Sequence, residues 1–172
     1  MEQNILPAQG NTSYAQALEI AIEREIKARF MYKSIAKHAT SSHMKTKLEF
    51  LAEEEQDHRE NLEDLYKKIT GTPKDFESAI IFPDEADAAN YAQLEITEII
   101  AVAIEKEEEA NKFYTEMAEK ADEGALKDLF SYLAEEELTH KRMMQLELKL
   151  YTGATPLSRP VETIPGVYRD WW

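Results

Sequence analysis

The phrase Leu51-Ala-Glu-Glu-Glu-Gln-Asp-His58 returns as Leu133-Ala-Glu-Glu-Glu-Leu-Thr-His140, 82 positions further on (140 − 58 = 82). The same register extends upstream. Ala21-Ile-Glu-Arg-Glu25-Ile-Lys-Ala28, followed by Tyr32, reappears as Ala103-Ile-Glu-Lys-Glu107-Glu-Glu-Ala110, followed by Tyr114. A gapless repeat of this length restricts the chain to an architecture in which two similar halves face one another. Each half carries one segment with a Glu and one with Glu-x-x-His.

Periodicity assigns those segments to helices. Tyr14, Leu18, Ala21, Glu25, Ala28, Tyr32, Ile35 and Ala39 step alternately by four and three, one face of a helix capped by Thr12 or Ser13 and running to about Thr40. After the polar break Thr40-Ser41-Ser42, the positions Leu48, Leu51, Glu55, His58, Leu62, Leu65 and Ile69 mark a second helix up to Gly71. Ile96 to Ala121 repeats the first template. Leu126, Phe130, Leu133, Glu137, His140, Met144 and Tyr151 repeat the second up to Gly153, with one break at Glu147. With 43% hydrophobic and 31% charged residues and only 5 Gly, the composition is that of an all-α protein, with little material for turn-rich β architecture.

Residues 71–91 contain Gly71, Pro73 and Pro83 and lack sustained periodicity, apart from a short helical piece expected near Asp84 to Asn90. About twenty residues at roughly 3.3 Å each can travel the length of a helix of forty-odd Å. A long crossover between helices 2 and 3 follows, which makes those helices parallel in a four-helix bundle with an internal two-fold repeat. The expected domain is residues 1–153, with a loose lead-in over 1–11. Residues 154–172 form an extended tail with Pro156, Pro160, Pro165 and the pair Trp171, Trp172, which is expected to pack on the bundle or on a partner.

Seam positions of a bundle normally hold Leu, Ile, Val or Ala, yet here they hold Glu25, Glu55, His58, Glu107, Glu137 and His140. Relative to the two short bends near residues 41 and 123, all six fall in one layer at mid-bundle. Four carboxylates ionised together away from water repel one another and lack hydration, so something must neutralise them. Two divalent cations bring four positive charges, and the two imidazoles complete the ligation. One Glu from each of two helices with Glu-x-x-His from two others is the ligand set of di-iron and di-manganese carboxylate bundles. Mixed oxygen and imidazole donors favour iron or manganese over calcium, while zinc is admitted by affinity alone.

Other side chains carry blander readings. Glu54 and Glu136, at i,i+4 to the histidines, are rival ligands but lie off the seam and rank as solvent-facing or backing groups. Tyr32 and Tyr114, two turns beyond Glu25 and Glu107, are candidate catalytic phenols. The preferred reading is a core aromatic whose hydroxyl meets a ligand carboxylate. His38 and His43 have no repeat counterparts and are expected at the surface, Glu63, Glu116 and Glu119 form a solubilising exterior, and Met143 and Met144 pack.

Charge and composition exclude several classes. The 34 acidic against 20 basic residues, net −14, argue against nucleic acid or an anionic membrane as partner and suit cations. No cysteine is present, so neither a disulfide framework nor a thiolate metal site can form. No run approaches the ~18 apolar residues of a membrane span. The first residues show no secretory pattern, so a cytoplasmic protein is expected.

The pattern Glu25-x-x-Ala28-x-x-x-Tyr32, Glu55-x-x-His58, Glu107-x-x-Ala110, Glu137-x-x-His140 resembles the rubrerythrin family of the ferritin-like superfamily, over about residues 14–152. Bacterioferritin has a similar six-residue set. The resemblance implies a ferritin-like bundle holding two iron ions, and a non-haem di-iron oxidoreductase that reduces hydrogen peroxide or dioxygen. Two features depart from the family. Rubrerythrins carry a rubredoxin-like four-cysteine iron site, absent here, so a separate electron donor protein is implied. They also place a further Glu three residues after the third-helix ligand, where this chain has Ala110, which moves the site toward a symmetric, ferroxidase-like arrangement. Iron storage with ferrous oxidation, and a purely structural metal, are the alternatives. A homodimer is expected.

Overall fold

The computed structural model describes residues 11–82, 94–122 and 124–153. Among the described residues there are four helices, α1 Asn11–His38, α2 Ser42–Thr70, α3 Ile96–Lys120 and α4 Ala125–Thr152, and a 3-10 turn Glu77–Ala79 in the connection between α2 and α3. Among the described residues there is no strand. The N-terminal lead-in, the helical piece expected near Asp84 to Asn90, and the tail with Trp171 and Trp172 lie outside the described residues.

Local chemistry sets most helix ends. Ser41 caps α2, its hydroxyl accepting from the Met44 amide, and Gly71 ends it in the left-handed region at φ 76°, its N–H bonded to the Lys67 carbonyl. A capping box between Glu95 and Glu98 starts α3. Helix α1 differs from expectation: the chain is already helical at Asn11, so Thr12 and Ser13 lie inside the helix and not at its cap position.

Two apolar clusters show how the helices run. One joins Leu18 and Ile22 of α1 to Leu62 and Leu65 of α2, Met117 of α3 and Phe130 of α4. The other joins Ile35, Leu48 and Leu51, Ile100 and Met144. The end of α2 thus meets the end of α3, and the start of α2 meets the start of α3. These helices are parallel, and the 71–95 connection must travel the length of the bundle, as the connection length predicts. Between the two clusters lies the layer of six polar seam residues, so the hydrophobic core is split at its middle by charge.

The interruption of the α4 seam at Glu147 is also accounted for. Glu147 is buried and held by His43 Nε2 at 2.8 Å and Lys47 Nζ at 3.5 Å from α2. His43 is exposed, as expected, but it serves that carboxylate.

Candidate metal centre

Each helix delivers its seam residues to the same level: Glu25 from α1, Glu55 and His58 from α2, Glu107 from α3, Glu137 and His140 from α4. All six are buried, none more than 4% exposed. The structure therefore brings together the whole set that the spacing picked out. His58 Nδ1 lies 3.2 Å from Glu137, 3.3 Å from Glu55 and 3.7 Å from Glu25. His140 Nδ1 lies 3.7 Å from both Glu107 and Glu137. The two imidazole rings are near parallel, with centroids 5.7 Å apart.

The donors fall into two overlapping groups. Glu25, Glu55, His58 and Glu137 can each place one donor atom within 4.8 Å of the others, and so can Glu55, Glu107, Glu137 and His140. Glu55 and Glu137 belong to both groups, while each group has its own Glu and its own His. Such an arrangement could hold two cations with two carboxylates in common.

The unmet valence of these atoms fits cations. Both nitrogens of His58, Nδ1 of His140, Oε2 of Glu107 and both oxygens of Glu137 are buried without a hydrogen-bond partner, and a buried polar group normally has one. Burial together with the charges of Glu137 and Glu25 pushes the Glu55 carboxyl well above the usual range, and burial with Glu107 does the same to Glu137. Burial works against protonation of His58, but the carboxylates of Glu137, Glu25 and Glu55 crowded around its Nδ1 outweigh it and raise the imidazole. Burial also disfavours a charged Glu25, yet the neighbouring Glu55 carboxyl and His58 imidazole hold its own carboxyl low. Protons are therefore the cluster's substitute for metal charge, and cations that replace them must displace them.

Two tyrosines tie the halves together. The Tyr32 hydroxyl on α1 donates to Glu107 Oε1 on α3 at 2.5 Å, and the Tyr114 hydroxyl on α3 donates to Glu25 on α1. Each phenol thus orients the carboxylate that belongs to one cation position only. Burial, and then the facing carboxylates, push both phenols up, so they stay protonated donors.

The layer is not fully symmetric. Glu54 Oε2 stands 3.8 Å from His140 Nε2, and Glu54, Glu136 and His140 form a third, outer group. Among the described residues His58 Nε2 has no hydrogen-bond partner. Glu54 thus backs one histidine, while the other is bare.

Between α1 and α3 a cavity of about 30 Å³ opens on Glu25, Glu55, Glu107 and the two tyrosines, where Ala28 and Ala110 leave room. Arg24 and Lys106 stand beside it. Arg24 lies 4.3 Å from the centre of the Phe113 ring, and Lys106 is bonded to Glu109 at 2.7 Å. Sequence reasoning missed this pair. The available signal was the cation that directly precedes the seam Glu in both copies, Arg24-Glu25 and Lys106-Glu107.

No helix among the described residues is long and apolar enough to cross a membrane. No curated protein matches the chain. Among solved structures, the chain is similar to a hypothetical protein from Pyrococcus furiosus, at 29% identity and a TM-score of 0.64, over 84% of this chain and 93% of that one. The rubrerythrin family model matches residues 16–93 and again residues 98–167, once for each half of the repeat. The doubled match, with the duplicated Glu and Glu-x-x-His layer, makes the chain a member of the rubrerythrin family.

Proposed function

We propose that the protein is a non-haem di-iron oxidoreductase that reduces hydrogen peroxide, with Glu25, Glu55, His58, Glu107, Glu137 and His140 as its metal ligands. The observation that carries this reading is the pair of donor groups sharing Glu55 and Glu137. Two ferrous ions held there would supply the two electrons that convert peroxide to water, with manganese as the competing metal for the same donors.

The chain's own part is positioning. Tyr32 and Tyr114 fix Glu107 and Glu25 by hydrogen bonds, which leaves Glu55 and Glu137 as the carboxylates free to change their mode of binding. The cavity between α1 and α3 admits little. A water needs roughly 10–15 Å³ of such volume, so about 30 Å³ suits an oxidant of two heavy atoms and excludes a larger organic substrate. Peroxide and dioxygen both satisfy that limit. Water released by the reaction leaves by the same opening, past Ala28 and Ala110. These 172 residues hold no cysteine, so the electrons that restore the ferrous state come from a donor outside them.

Ala110 favours a second reading, ferrous oxidation with dioxygen as in iron storage. A small residue, not a further carboxylate, lines the cavity there, and the ligand set stays two-fold. Metal analysis, then anaerobic stopped-flow mixing of the ferrous protein with peroxide or with oxygen, separates the two. Oxidation at least tenfold faster with peroxide supports the first reading, and preference for oxygen supports the second. A spectrum that neither oxidant changes makes the metal structural and overturns both.

A further inference from the structure

A larger cleft, of about 400 Å³, lies away from the metal layer, against the outer side of α1 where the connection begins. Its cationic lining is Arg29, Lys33 and Lys37 of α1 with Arg59 of α2, and the one carboxylate among the lining residues is Glu77 of the 3-10 turn. That is a concentration of cationic side chains in a chain of net charge −14. Arg59 is committed to Glu63 at 2.7 Å and Glu77 at 2.9 Å, and Lys33 reaches Glu53 at 3.5 Å. The Arg29 Nε is buried and has no hydrogen-bond partner. The apolar wall is aromatic: Phe30 and Phe82 stand 4.8 Å apart, centroid to centroid.

The repeat provides an internal control. At the matching positions 82 residues on, Arg29, Phe30, Lys33, Ser34 and Lys37 become Asn111, Lys112, Thr115, Glu116 and Glu119. The second half builds the same hairpin without the cationic row and without the aromatic. The bundle therefore does not require them, and their concentration at one cleft calls for another reason.

We infer that this cleft binds a small nucleotide-class ligand, its phosphates on Arg29 and Lys33 and its ring against Phe30 and Phe82. The volume falls in the range of small-molecule sites, roughly 300–1,000 Å³. Guanidinium and ammonium groups are the usual phosphate donors, and an aromatic wall offers a planar ring a stacking face. Ile26, which also lines the cleft, directly follows Glu25 in the chain, so a bound ligand lies one residue from the metal layer.

The test is calorimetric titration of the metal-loaded full chain with ADP, adenosine and inorganic pyrophosphate. The variant is Arg29→Asn with Lys33→Thr, residues the other half already carries at those places, so folding is preserved. ADP is expected to bind in a salt-sensitive manner and to lose on the order of 10- to 100-fold in the variant, as for lost charge-assisted hydrogen bonds. Adenosine and pyrophosphate are each expected to bind at least tenfold more weakly than ADP. Absence of ADP binding, or equal binding by the variant, overturns the inference. Pyrophosphate binding as tight as ADP reduces the cleft to a simple anion site and overturns it too.

Discussion

Replacing Glu137 with Gln should move the stability of the metal-free and the metal-loaded protein in opposite directions. Glu137 is fully buried, belongs to both donor groups, and has a carboxyl pushed well up by burial and by Glu107. Without metal, an isosteric amide removes one of four crowded acids, so the apoprotein should be as stable as the parent or more so. With metal, the change removes a shared ligand from both positions. A ligand at 100 times its Kd stabilises by about 2.7 kcal/mol, hence about 5 kcal/mol for two ions. A chain of this size gains roughly 2–4 °C per kcal/mol, so metal should raise the parent's Tm by about 10–20 °C. If the substitution weakens each site about 100-fold, the same metal concentration contributes only about 0.4 kcal/mol per site. The rise then shrinks to a few degrees. Differential scanning calorimetry of parent and Glu137→Gln protein, each with and without ferrous iron under anaerobic conditions, reads all four states. An apoprotein destabilised by several kcal/mol, with its metal-induced rise intact, would show that Glu137 serves packing alone and refute the reasoning.

Other predictions follow from the same geometry. Because Glu55 and Glu137 are raised above 4.5 and His58 above 6.5 in the folded state, the native apoprotein holds more protons than the unfolded chain. Its Tm should fall as pH rises from 5 to 8. The lowered Glu25 acts in the opposite sense, but its contribution is lost only as pH drops below about 4.5, outside that window. Metal uptake should release protons, detected as a dependence of the calorimetric heat on the ionisation enthalpy of the buffer. Tyr32→Phe or Tyr114→Phe removes one buried hydrogen bond and should cost about 1–3 kcal/mol in chemical denaturation. Both variants should still bind two ions, and loss of an ion would make the phenol essential to ligation. Glu54→Gln should weaken one of two calorimetric binding steps by about 10- to 100-fold, because Glu54 backs His140 and nothing comparable backs His58. Equal weakening of both steps, or of neither, would remove Glu54 from that role.

Much of this molecule was legible because its information is local or periodic. A three-four spacing names a buried face wherever it occurs, so the seam residues could be assigned before any helix was placed. The 82-residue register then paired the halves. The crossover was legible through length alone, since a connection that long can reach the far end of the bundle.

Other features depend on how helices turn about their axes once packed, which spacing does not encode. That Tyr32 reaches Glu107 and Tyr114 reaches Glu25, and not the Glu on its own helix, required α1 and α3 to be set side by side. That Glu54 meets His140 while His58 Nε2 meets nothing is a break in symmetry between near-identical sequences. Glu147 looked like a flaw in the α4 pattern until packing placed His43 and Lys47 of α2 against it. The cationic cleft joins α1, α2 and the connection, elements that no single period spans. Sequence alone determined which residues face inward and at what level, because helical geometry is regular. Tertiary structure decided which inward groups touch and which cavities remain, because those depend on side-chain contacts made only when four helices close on one another.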